Sequence, residues 1–258
     1  MASLLRWYNV LSFAAVLVVN ALAQIKPLKG LSTGEISALF PVQITPAPYA
    51  FSIWGLIYAL LIGFVIVQLL PAKSEKNEVR AIGPWFVASC FFNISWLLLW
   101  QSLSIASSMF SMLGLLIALI GIYSNTRHAG WSSDAAVRWL VQVPFSLYIG
   151  WISVAALVNL AVVLYANDWN GFGLPETLWT VILILTASLV SLWVGYRYRD
   201  PFYMLVTVWA LVAIGIANPG TPPIVFISWG AAGMLFLYAL LLLYSGELLR
   251  LQRQTNPT

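Results

Sequence analysis

Asn93 and Asn159 are amides set inside long apolar runs, and each lies at helical spacing from aromatic rings. Asn93 and Trp96 are three apart, while Tyr148, Trp151, Ala155 and Asn159 follow at three, four and four, so each set shares one helix face. Phe51, Trp54 and Tyr58 make a third stripe at i, i+3 and i+7, just after Pro46 and Pro48, which suit a helix start because proline lacks an N–H there. An amide in hydrocarbon is costly unless it meets a partner or lines a cavity. Two readings therefore stand side by side. Either these faces pack and hydrogen-bond helix to helix, or they line a cavity in which stacked rings and one or two amides hold a flat aromatic ligand. Ala155, between Trp151 and Asn159, leaves room for a neighbouring helix or for such a ligand.

Other chemistry is sparse. The single histidine, His128, falls in a loop beside Arg127, so a Ser-His-Asp, Cys-His or multi-His metal site within the membrane is excluded, as is a haem held by an intramembrane His. Cys90, the one cysteine, reads as a small core residue. No helix interior carries a clear Asp or Glu for a proton relay, and Gly30 and Gly34 have no strand–loop–helix context for a phosphate loop. Asp168, Glu176 and Asp200 read as interfacial or capping residues near helix ends, and Arg197, Arg199 and Arg250 as charge anchors. The expectation is a binding protein, not an enzyme, with no required cofactor and no metal.

The elements that must position these residues are set by the solvent. The chain has 258 residues, 61% hydrophobic and 8% charged, where a soluble domain carries roughly a quarter charged residues. Its mean hydropathy is +0.90. A spanning helix needs about 20 apolar residues, because lipid offers its backbone no hydrogen-bond partner. The apolar runs predict an all-α integral membrane protein with about eight transmembrane helices, near 6–24, 47–70, 83–101, 104–124, 136–166, 175–196, 201–217 and 223–245. The first run imitates a signal peptide, with Arg6, an apolar stretch and Ala21-Leu22-Ala23, and is read as a retained helix.

Eight helices put both termini on one side of the membrane. That side receives Arg6, Lys73, Lys76, Arg80, Arg127, Arg138, Arg197, Arg199, Arg250 and Arg253, and the other only Lys26 and Lys29. Basic loops favour the cytoplasm, so both termini are expected there, in an inner or cytoplasmic membrane. The net charge of +4 is dispersed over short loops and indicates a lipid bilayer as partner, with no nucleic acid.

Of thirteen tryptophans, Trp7, Trp85, Trp131, Trp139, Trp169 and Trp179 fall near helix ends and read as interfacial anchors. Trp54, Trp96, Trp100, Trp151, Trp193, Trp209 and Trp229 fall deeper, where packing or a ligand cavity competes with a lipid-facing belt.

Three motifs resemble the tryptophan-rich sensory protein or translocator protein family (TspO/MBR), also called the peripheral-type benzodiazepine receptor family. They are Pro46, Pro48, Phe51, Ile53-Trp54 and Ile57-Tyr58 on the second helix, Asn93 and Trp96 on the third, and Pro144, Tyr148, Trp151, Ala155 and Asn159 on the fifth. The resemblance covers about 1–167 and implies a five-helix bundle whose pocket is closed by the loop between the first two helices, here 25–46. It further implies a hydrophobic small molecule as ligand, a tetrapyrrole such as a porphyrin or haem foremost. Trp54, Asn93, Trp151, Ala155 and Asn159 become binding candidates, flanked by Phe51, Tyr58, Trp96 and Tyr148.

Two features depart from the compact family. The loop carrying Gly30-Leu31-Ser32-Thr33-Gly34-Glu35-Ile36 differs from its shorter, Trp-containing counterpart, and Glu35 reads as a solvated acid or as a lid group that caps a helix or meets a ligand cation. The segment 168–258 reads as a three-helix extension, a stabilising or partner-docking addition. The leading expectation is a translocator or sensor type of protein holding a flat hydrophobic ligand. The alternative is an accessory or assembly subunit of a larger membrane complex; a homodimer is a further arrangement.

Overall fold

The computed structural model describes the backbone of residues 2–255 and the side chains of residues 4–245, so the side chains of Arg250 and Arg253 lie outside the described residues. Among the described residues eight long helices run in chain order: α1 (Ala2–Ile25), then, after a short loop helix α2 (Thr33–Ala38), α3 (Ile53–Val67), α4 (Trp85–Gln101), α5 (Ile105–Arg127), α6 (Val143–Ala166), α7 (Glu176–Tyr198), α8 (Pro201–Ala217) and α9 (Pro222–Thr255). Six segments built on α1, α3, α5, α6, α7 and α9 are long and apolar enough to cross a membrane, and α4 and α8 are shorter apolar helices of 17 residues. Seventeen residues rise about 25 Å, within the range of a spanning helix. The chain is an all-α, multi-pass integral membrane protein, as its composition requires.

α6 is apolar on every side, the pattern of a helix surrounded by other helices. It packs against α5, α8, α3 and α7. A single turn (Ala135–Val137) and a π turn (Arg138–Gln142) lead into it, so the helix expected over 136–166 runs unbroken from Ala135 to Ala166. Pro144 explains the wider turn: its ring nitrogen cannot donate to the carbonyl of Leu140, and the i→i+5 bond from Val143 to Arg138 takes over just before it. At Gly150 the α6 backbone comes so near α8 that an added Cβ would lie 3.2 Å from the carbonyl oxygen of Tyr203. Small residues permit this close helix contact in membranes.

The remaining helices form two groups around α6. α1 lies against α4, and α4 against α5, completing a five-helix unit with α3. α7, α8 and α9 pack on one another, and α8 joins them to α6.

The basic ends of the helices are interlocked by charge. Arg6 pairs with Glu75 at 2.7 Å, and Lys73 with Asp134, whose carboxylate also caps the turn at Ala136 and Val137. Lys73 holds the Asp134 carboxyl below the usual carboxylate range, and Arg6 does the same for Glu75.

Asp200 and Arg127 go further than the end-capping and anchoring roles that their positions suggest. Asp200 does cap α8, its Oδ1 accepting from the Phe202 and Tyr203 N–H groups at 3.0 and 3.1 Å. Its Oδ2 accepts from Tyr123 Oη at 2.7 Å and Ser146 Oγ at 2.6 Å, with Arg127 Nη2 at 3.9 Å. Both charged side chains are fully buried. Arg127 also donates to the Tyr198 carbonyl at 2.7 Å and stacks on Trp131, its guanidinium carbon 3.3 Å from the ring centroid. Trp131 therefore serves this cluster, whereas Trp7 and Trp139 are exposed. Trp193 and Trp229, deep in sequence, face outward and are 59% and 50% exposed.

Candidate functional site: a lidded aromatic cavity

The loop after α1 folds back over the bundle as a lid. Ser32 Oγ accepts from the Glu35 N–H, and the Glu35 carboxylate accepts from the Ser32 N–H at 2.7 Å, a reciprocal capping box that starts α2. Glu35 is thus a helix cap, and hydrogen bonding of its carboxylate to the Ser32 side chain and backbone N–H lowers its pKa. Two side chains of α4 fasten the lid's first arm. Gln101 donates to the Ala23 carbonyl at 2.9 Å and accepts from the Leu28 N–H at 3.2 Å, and the Trp100 indole donates to the Thr33 carbonyl at 3.2 Å.

The second arm is fastened by the last helices. The Gln43 N–H donates to Glu176 Oε1 at 3.1 Å, the Gln43 side chain accepts from Thr177, and the Gln43 carbonyl accepts from Asn218 Nδ2 at 2.8 Å. The Ala47 N–H donates to the Ala213 carbonyl at 3.0 Å. The Trp209 indole donates to the Ala50 carbonyl at 3.1 Å, in the 3-10 turn Pro48–Ser52 that opens α3. α7 and α8 therefore hold the lid loop as well as α6.

Beneath the lid lies a half-open cavity of about 760 Å³ between α1, α2, α3 and α4, its rim exposed at Gln24, Glu35, Ser52 and Gly55 and its wall formed by Asn20 on α1, Phe51, Trp54 and Tyr58 on and before α3, and Trp96 on α4. It continues inward as a narrow cleft of about 40 Å³ against α6, reached past Phe51, Trp54 and Trp96 and lined there by Trp100, Trp151, Ala155 and Asn159. The rings are ordered by one another. Trp54 stacks on Tyr58 at 5.2 Å and meets Tyr148 edge-on at 5.6 Å, Trp96 stacks on Trp100 at 5.8 Å, and Phe51 meets Trp151 edge-on at 5.9 Å. Such pairs are worth about 0.5–1.5 kcal/mol beyond their area.

Seven of the nine sequence-derived candidates reach the two spaces: Trp54, Phe51 and Trp96 line both, Tyr58 the outer, and Trp151, Ala155 and Asn159 the inner. Asn93 and Tyr148 stand behind the wall. Asn93 accepts from Asn20 Nδ2 at 3.0 Å and donates to Tyr148 Oη at 3.0 Å, and Tyr58 Oη donates to Asn20 Oδ1 at 2.9 Å. This chain joins α1, α3, α4 and α6 in one network, buried at its Asn93–Tyr148 end. Asn159 accepts from the Trp96 indole at 3.2 Å and donates to Ser108 at 3.2 Å. Both amides are thus satisfied within the protein, and the interhelix reading of them is realised. Asn20 and Gln101 escaped the sequence reading, although an amide in the first apolar run carried the same signal as Asn93.

The fold and site define a multi-pass helical membrane protein whose aromatic cavity lies under a helical lid. The family model described as TSPO-like protein matches residues 6–241, and the chain belongs to that family, as a membrane protein of translocator or sensor type. The match runs through α7 and α8 and most of α9, beyond the five helices that carry the motifs. No curated protein and no solved structure matches the chain.

Proposed function

We propose that the protein binds a flat hydrophobic ligand, a tetrapyrrole foremost, under the α2 lid, and serves sensing, regulation or passage of that ligand. The observation that carries this reading is the aromatic cavity itself: stacked rings on α3 and α4 border a space of about 760 Å³ that narrows toward Trp151. Planar ligands gain from such surfaces through stacking and from release of water or lipid. Gln24 and Ser32 at the rim supply polar contacts suited to the propionate edge of a macrocycle. Its one carboxylate is engaged as a helix cap, which favours binding over catalysis. His128 is exposed in the loop after α5, so a haem in the cavity would lack imidazole ligation.

The lid belongs to the side bearing Lys26 and Lys29, so the positive-inside preference puts the cavity mouth on the non-cytoplasmic face, with both termini cytoplasmic. The test is titration of the detergent-purified chain with protoporphyrin, read as quenching of tryptophan fluorescence. Removing one stacked ring forfeits roughly 1.5–3 kcal/mol of apolar contact, so Trp54→Ala and Trp151→Ala each shift the midpoint at least tenfold while the thermal unfolding transition persists. Unchanged midpoints in both folded variants would refute the assignment of the site.

A further inference from the structure

On the opposite side of α6 from the lid cavity's inner cleft, α5, α6 and α7 enclose a second groove of about 500 Å³. Its rim residues Leu113, Ile120, Val190 and Trp193 are 41%, 50%, 42% and 59% exposed, so the groove faces the bilayer and no part of the described chain covers it. Three of its hydroxyls are engaged within their own helices: Ser124, Ser153 and Thr186 each donate at 2.8 Å to a carbonyl one turn earlier. The wall therefore offers a bound molecule almost nothing but hydrocarbon.

The end of the groove nearest the basic side has another character. It is closed by Tyr123, Tyr198 and Tyr203, the same tyrosines that surround the buried Arg127–Asp200 cluster. Arg197 is exposed beside it, its guanidinium carbon 5.3 Å from the Tyr198 ring centroid. Behind the tyrosines, Arg127 Nε and Nη1 are buried without any hydrogen-bond acceptor. The Asp200 carboxylate meanwhile spends its lone pairs on Tyr123, Ser146 and two backbone N–H groups. Cationic donors thus outnumber acceptors at one end of an apolar slot.

We propose that this groove is a site for one anionic membrane phospholipid, with an acyl chain along α5 and α7 and the phosphate at Arg197. The bilayer supplies molecules that join a long apolar chain to a phosphate, and basic residues at a helix end select those with net negative charge. A zwitterionic lipid fills the same slot but brings its own cation to Arg197. The site shares no lining residue with the outer lid cavity and does not rest on the tetrapyrrole reading.

The test uses the full-length chain in nonionic detergent micelles doped with phosphatidylglycerol or phosphatidylcholine. Thermal unfolding and native mass spectrometry are the readouts. Phosphatidylglycerol saturates its stabilising shift at one retained lipid per chain, at a several-fold lower micellar fraction than phosphatidylcholine. Arg197→Gln abolishes that preference. Val190→Trp, which fills the groove, weakens retention of both lipids about tenfold; Leu113→Trp does so from the opposite wall should the first variant not fold. Trp54→Ala leaves lipid retention unchanged. Equal response to the two lipids in the parent chain, undiminished retention in the groove-filling variants, or a lipid-independent dimer that these variants dissolve would each overturn the proposal, the last by showing that a second copy covers the groove.

Discussion

Asn93 is held at both ends of its amide, by the half-buried Asn20 on α1 and by Tyr148 on α6, whose hydroxyl is shut away from water. Asn93→Leu keeps the bulk and removes both bonds, leaving the buried Tyr148 hydroxyl without its donor at a cost of about 1–3 kcal/mol, while Asn20 keeps its bond to the Val16 carbonyl. The expected outcome is a lower unfolding midpoint in detergent with a protoporphyrin affinity that changes far less than in Trp54→Ala, because Asn93 is absent from the cavity wall. A variant that unfolds normally and loses the ligand would instead make Asn93 a direct contact. Glu35 carries the pH dependence at this scale. Its carboxyl sits below the ordinary carboxylate range through its bonds to Ser32, so the cap is fully present above the unfolded pKa and is lost as pH falls through the lowered one. Ligand dissociation should quicken on acidification below the ordinary carboxylate range, and Glu35→Ala should dissociate quickly at neutral pH with that acid dependence gone. A stopped-flow dilution series across pH measures both.

At the scale of elements, the lid loop is fastened at one arm by α4 and at the other by α7 and α8. Gln43→Ala removes the side-chain contact with Thr177, and Asn218→Ala removes the bond to the Gln43 carbonyl. The double variant should raise ligand association and dissociation rates together, by severalfold, with the overall unfolding midpoint little changed; unaltered rates would mean that the second arm does not restrain the lid. Most of the long helices were legible because lipid enforces length and composition: 83–101 and 201–217 are found as Trp85–Gln101 and Pro201–Ala217. The lid helix was half legible. Ser32 and Glu35 stand at capping-box spacing, but a six-residue helix has too little apolar periodicity to announce itself. The pinning of Gln43 was not legible at all, since hydrogen bonds reaching 133 and 175 residues along the chain leave no local pattern.

Across the whole molecule, the two groups of helices are joined by the close approach at Gly150 and by the buried Arg127–Asp200 cluster. Asp200→Asn leaves the Arg127 charge uncompensated in a dry interior, a loss of about 3–5 kcal/mol. The expected readout is a large drop in thermal stability, partly restored by Arg127→Met in the same chain, since removing the second charge removes the stranded one. The same scale explains what the sequence concealed about the site. Helical spacing placed Trp54, Trp96 and Trp151 on faces that do meet, whereas the choice between cavity wall and interhelix bond for Asn93 depended on Asn20, 73 residues away on another helix. The reading of the lid cavity as a tetrapyrrole site is tested most directly by an experimental density map of the full-length protein prepared with protoporphyrin. The expected result is planar density beneath α2, against Trp54 and Trp96. A map with the lid cavity empty and the porphyrin on the lipid-facing surface would contradict it.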